Sequence, residues 1–178
     1  MDRGIVRVNR PGVSRPSRLR QIDRVMSQSP DVSFDGLYGD AIMDHYRNPR
    51  HRDPLADADV ESHELNPFCG DEVTLRLKLD GSGLVVGVSS QSQGCSIIQA
   101  SASMMADAMP GKSLVELMEL SRLFRDFMQG RMLPELSVSL SPDLEALQVV
   151  RQFPVRIKCA LLPWTALEEG IQSLRHTP

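Results

Sequence analysis

Residues 69–95 read CGDEVTLRLKLDGSGLVVGVSSQSQGC, and this stretch decides the fold. Val73, Leu75, Leu77 and Leu79 alternate with Thr74, Arg76, Lys78 and Asp80, the period of two expected of a half-buried strand. Asp80-Gly81-Ser82-Gly83 supplies a turn, and Leu84-Val85-Val86-Gly87-Val88 returns as a second strand, which makes an antiparallel hairpin. A hairpin brings its two ends to one edge. Cys69-Gly70-Asp71 at its start and Cys95 just after its return strand therefore meet at the open end.

With Cys159, these are all the thiols of the 178-residue chain. A closed zinc site wants four ligands at tetrahedral angles, and thiolates with one histidine or carboxylate are a common set. Cys69 and Asp71 offer two donors, and Gly70 between them permits the tight backbone that two ligands so close in sequence require. Gly94 before Cys95 repeats the device. The spacing matches no zinc-finger pattern, and scattered cysteines also serve as small buried hydrophobes. Local context favours ligands. Cys95 precedes Ser96–Met109, a stretch rich in helix formers, and Cys159 closes a strand-like Val155-Arg156-Ile157-Lys158 before a helix over 160–174, in which Pro163 suits a first turn. Unpaired N–H groups at a helix N-terminus favour the thiolate at both positions.

Outward from the hairpin, Leu37, Ala41, Ile42 and Tyr46 share a helical face that Asn48-Pro49 ends, and residues 50–66 read as charged and irregular. Ser113-Leu114-Val115-Glu116 opens a helix with a capping box, and Gly130 stops it at Gln129. Met118, Leu123, Phe127 and Met128 on it read as core. Ser141-Pro142-Asp143 starts a short helix through Val150. Strands first and helices later indicate an α+β fold, with a small antiparallel three-stranded sheet and helices packed on one face.

Composition narrows the function. A net charge of −3 gives no basic field for nucleic acid, and 4 % aromatic residues offer few stacking platforms. No apolar run approaches a membrane span and no signal-peptide core is present. An odd cysteine count without close pairs argues against a disulfide framework. The expectation is a cytoplasmic protein with no nucleic-acid or membrane partner. Residues 1–35 hold seven arginines with Pro11, Pro16 and Pro30, and read as a disordered extension before a domain over 36–178, or as sequence upstream of a true start at Met26. Asp2, Asp23 and the prolines spoil the amphipathic helix of a transit peptide.

Four ordered motifs carry a resemblance: LYGDAIMDHYRNP (37–49), NPFCGD (66–71), GCSIIQASASMM (94–105) and FPVRIKCALLPWTA (153–166). From residue 36 onward the chain resembles the U-type iron–sulfur cluster assembly proteins: IscU, the N-terminal domain of NifU, and SufU. It looks like the SufU branch. Lys158 stands where scaffold-type members place a histidine before the last cysteine, and residues 130–150 resemble a SufU-type insertion. The resemblance implies that Cys69, Asp71, Cys95 and Cys159 bind one Zn2+. It also implies a protein that takes persulfide sulfur from a pyridoxal-phosphate cysteine desulfurase of SufS-like type and passes it to downstream cluster assembly proteins.

Cys69 is the expected sulfur acceptor, since it lies on a loop that Gly70 lets move; Asp71, a hard oxygen among soft thiolates, is the other candidate for a labile ligand. Arg156, three residues before Cys159, is a candidate to support the ligands from beside them, and Lys158, next to that cysteine on the expected strand, points the other way. His63 is a further candidate to reach the metal. Trp164 and Leu162 read as packing. Three functions compete: a zinc-dependent, sulfurtransferase-like desulfurase partner that is not a stand-alone enzyme; a scaffold on which a transient iron–sulfur cluster forms on the same thiolates; and a zinc-stabilised binding module without sulfur chemistry.

Overall fold

The hairpin forms as its alternation requires. The computed structural model describes residues 34–67, 69–131 and 138–176, and Phe34–Pro178 make up one unit. The Arg-rich stretch, Met26 and Pro134 lie outside the described residues. Strand β2 (Asp71–Leu79) turns at Asp80, whose Oδ1 accepts from Ser82 N (2.8 Å) and Leu84 N (3.0 Å), and returns as β3 (Val85–Gln93). The register pairs Glu72 with Gln93, so the start of β2 and the end of β3 share one edge. A bulge between Lys78 and Leu79 shifts the pairing.

The third strand is not the expected one. β1 (Val60–Asn66) pairs antiparallel with β2 to give the order β1-β2-β3, and the irregular segment ends before Val60. Val155–Lys158 is helical instead. Pro154 opens a helix running to His176, where a proline's fixed φ and missing N–H suit the first turn. Cys159 therefore lies in the second turn of that helix, not at its start, and Pro163 lies well inside it.

The remaining elements are α1 (Phe34–Arg47), broken at Gly39, α2 (Ser96–Asp107), α3 (Leu114–Met128), the short α4 (Pro142–Ala146), a 3-10 turn (Leu147–Gln152) and α5 (Pro154–His176). Ser113 and Glu116 form the expected capping box on α3, and Ser141 caps α4. On α1, Ile42 is buried while Tyr46 is exposed, so the buried polar residue of this helix is His45, bonded to Ser103 Oγ at 2.8 Å.

One sheet face is covered. α5 packs on β1 and β2, α2 packs on β3, and Glu61, His63 and Leu65 on the other face are exposed. Along β2 the core-facing row is Asp71, Val73, Leu75 and Leu77, all buried. Trp164 is fully buried and stacks on Phe124 at 4.5 Å, a pairing worth about 0.5–1.5 kcal/mol beyond its area. Among the described residues no helix is long and apolar enough to cross a membrane.

Candidate metal centre

The core-facing row of β2 ends in a carboxylate, and the site is built around it. Strand alternation puts Asp71 on the inner face with Val73, so it is 3 % exposed where a charged group must find partners. Its Oδ1 accepts from the backbone N–H of Cys95 at 3.3 Å, while Oδ2 is buried with no hydrogen-bond partner. Gly94 makes room for it: at φ +140° a Cβ in its place would sit 2.2 Å from Asp71 Oδ1 and would have to displace the carboxylate.

Cys69 enters from the turn between β1 and β2. The Asn66 carbonyl accepts from Gly70 N (2.9 Å) and Cys69 N (3.4 Å), and Gly70 at φ +69° redirects the chain into β2. Cys69 is exposed at the tip of this turn. Cys95 is the N-cap of α2, half-buried, as the helix-start reading required. Cys159 projects from the second turn of α5 and is 3 % exposed.

Donor atoms of Cys69, Asp71 and Cys159 lie within 4.8 Å of one another. Cys95 is outside that set of three, yet its backbone N–H donates to Asp71 Oδ1 at 3.3 Å, which places it beside the other candidates. Electrostatics bear on the Cys69 and Cys159 thiols. The Asp71 carboxylate beside the Cys69 thiol holds that thiol above the ordinary cysteine range. Burial pushes the Cys159 thiol up strongly, with Asp71 and Cys95 adding to the shift. Thiols that resist ionisation, beside a buried carboxylate oxygen without a donor, form a cluster that a divalent cation would satisfy. Two soft sulfurs with a third adjacent, and one oxygen, suit zinc.

His63 is not part of it: its ring bonds Thr74 Oγ1 at 3.0 Å on the open sheet face. Arg156 lines the groove beside Cys69 and Cys159, now from a helix. Lys158 lines the same groove, against the strand-based expectation that it points away, because helical geometry replaces alternation. Asn66 also lines it and was missed; its signal was the Asn-Pro pair before Cys69, a turn-forming dipeptide.

Known proteins share this arrangement of chain and fold. The NifU-like N terminal domain family matches residues 37–177. The chain is 46 % identical over 141 residues to the zinc-dependent sulfurtransferase SufU of Bacillus subtilis, covering 79 % of this chain and 93 % of that protein. It is 39 % identical over 140 residues to the iron–sulfur cluster assembly scaffold protein IscU of Streptococcus pyogenes, covering 76 % and 83 %. A crystal structure of a putative iron–sulfur cluster assembly scaffold protein for the SUF system, from Fervidobacterium islandicum, superposes with a TM-score of 0.69 at 31 % identity, covering 77 % of this chain and 98 % of that one.

Proposed function

We propose a function on the premise that this chain belongs to the NifU-like N-terminal domain family: it serves iron–sulfur cluster assembly as a zinc-dependent acceptor that takes sulfur from a cysteine desulfurase and hands it on. The observation that carries the reading is the convergence of Cys69, Asp71 and Cys159 at one point, with Asp71 Oδ2 buried and unbonded. Cys69, Asp71, Cys95 and Cys159 would hold the ion. Bound zinc keeps coordinated thiolates ionised at neutral pH while engaging their lone pairs.

The residues divide the work by position. Cys159 on α5 and Cys95 on α2 are fixed by helices and keep the site together. Cys69 is exposed on a turn, the most accessible of the three thiols to an incoming donor. As acceptor, its freed thiolate attacks the outer sulfur of the donor's persulfide. The donor's S–S bond breaks, the donor cysteine leaves as a thiolate, and Cys69 carries the new persulfide. The Asp71 carboxylate beside Cys69 raises that thiol's pKa and so disfavours its ionisation when no metal is bound.

Greater similarity to SufU than to the Streptococcus IscU, and Lys158 in place of a ligating side chain before Cys159, favour sulfur transfer over assembly of a cluster on the same thiolates. The test is the metal and acid-labile sulfide content of anaerobically purified protein, followed by stimulation of a pyridoxal-phosphate cysteine desulfurase. Near-stoichiometric zinc without sulfide, and stimulation lost in Cys69→Ala, are expected. Iron with matching sulfide makes the chain a scaffold; stimulation that survives Cys69→Ala removes Cys69 as acceptor.

A further inference from the structure

Cys69 does not stand on an open surface. It lines a groove of about 370 Å3 walled by Pro154 and Val155 at the start of α5. A second groove of about 340 Å3 continues past it, walled by Leu65, Pro67, Leu161 and Leu162. The two meet at Asn66 and Lys158, which line both. Val155 is 76 % exposed and Leu65 53 %, large apolar side chains held in water next to the acceptor thiol.

Lys158 stands exposed between these walls and forms no ion pair among the described residues. Arg156 lines the first groove two residues away, and the first turn of α5 has no acidic residue. The partial positive charge of the helix N-terminus adds to the same field. In a chain of net charge −3, Lys158 and Arg156 thus put cationic side chains on the rim of the groove beside Cys69. A donor that reaches Cys69 along this groove meets both the lysine and the apolar walls. A free small anion would match the lysine but leave the apolar walls wet, whereas an extended polypeptide segment uses both.

We propose that Lys158 selects the sulfur donor: it pairs with a carboxylate on an extended segment of the donor, whose apolar side chains fill the grooves on either side. This rests on the sulfur-acceptor reading and specifies the partner's chemistry. A rim charge acts on association more than on the step that follows, and its effect fades as salt shortens the Debye length.

The experiment titrates zinc-loaded wild type, Lys158→Gln and Lys158→Glu into a pyridoxal-phosphate cysteine desulfurase, at about 0.05 M and about 0.5 M salt, conditions that span weak and strong screening. Half-saturating concentration and maximal stimulation are read separately, with metal content and circular dichroism on each variant. At low salt the half-saturating concentration should rise in the order wild type, Gln, Glu, by about tenfold for Glu, with maximal stimulation within about twofold. The wild-type value should rise with salt and that of Lys158→Gln much less. Equal half-saturation for all three overturns the proposal, as does a loss confined to maximal stimulation or to metal content, which would make Lys158 part of the site itself. A defect seen only in onward transfer to a downstream acceptor assigns the surface to that acceptor and also overturns it. Failure of wild type to stimulate at all removes the sulfur-acceptor reading, and this inference with it.

Discussion

Two glycines flank Asp71 in space, and they do different things. Gly70 has φ +69° but open space where a Cβ would go, while at Gly94 a Cβ would collide with Asp71 Oδ1. Gly70→Ala meets only the left-handed backbone penalty, about 1–2 kcal/mol. It should lower stability by that amount in urea unfolding and leave zinc affinity within a few-fold. Gly94→Ala must displace the carboxylate, so zinc affinity measured by chelator competition should fall by about tenfold or more, the scale of losses around metal ligands; unchanged affinity would refute the carboxylate's role. The sequence marked both glycines as permissive, but only the packed structure separates backbone need from space. Cys69 yields a second test at this scale. Because the Asp71 carboxylate raises its pKa, the thiolate fraction of the metal-free chain at neutral pH lies below that of free cysteine. Iodoacetamide labelling of Cys69 should therefore be slow at pH 7, rise through a midpoint above that of free cysteine, and shift to lower pH in Asp71→Asn. A wild-type midpoint at or below that of free cysteine contradicts the assignment.

Among the elements, the hairpin and capped helices were legible because their periodicity and caps are local. Two were not. In β1 the core-facing positions are Val60, Ser62 and Glu64, and the one other apolar residue, Leu65, faces out, so the alternation carries no hydrophobic signal. Val155-Arg156-Ile157-Lys158 shows β-like alternation, yet tertiary packing wins: Ala160, Trp164, Leu167 and Ile171 form one buried stripe on a helix that starts upstream at Pro154. Pro163 inside that helix removes a backbone donor and crowds the preceding turn. Ser101 of α2 meets the disturbed turn, donating to the Ala160 carbonyl at 2.7 Å and accepting from Trp164 Nε1 at 3.3 Å. Ser101→Ala leaves a buried donor and a buried acceptor without this partner, so a loss of about 1–3 kcal/mol is expected by urea unfolding. Ser113→Ala, which removes only the cap of α3, should cost about 1 kcal/mol. If the two variants lose the same small amount, the bridge between α2 and α5 is not holding the turn before Pro163.

At the scale of the whole molecule, the candidate site is a junction: the β1–β2 turn, the start of β2, the N-terminus of α2 and the second turn of α5 converge on it. The sequence named Cys69, Asp71 and Cys95 through thiols beside glycine at the hairpin's ends, whereas it reached Cys159 through a strand–helix boundary that the structure replaces with the interior of α5. It could not show that the long helix α5 brings Cys159 to the hairpin's open edge, which depends on packing across β1 and β2. Such a junction couples metal to fold. Without metal, Asp71 Oδ2 is a buried acceptor without a donor, and burial and neighbouring groups favour protonated Cys159 and Cys69. A ligand that binds only the folded state adds about 2.7 kcal/mol at a free concentration 100 times its Kd. Chelation should thus lower Tm at pH 7.5 and speed hydrogen exchange around residues 69–72, 94–98 and 156–161. It should spare α3, which Ser121 and Arg125 tie to Glu168, nine residues along α5 from Cys159. The pH sign follows from proton counting. The metal-free folded chain keeps protons on Cys69 and Cys159 that the loaded chain lacks, so loading releases protons and is favoured as pH rises. The Tm difference between loaded and chelated protein should therefore shrink as pH falls from 8 toward 5, with metal appearing in the filtrate over the same range. A Tm indifferent to chelator at pH 7.5, in protein verified to carry metal beforehand, would show that the four elements pack without it and that the cluster serves chemistry alone.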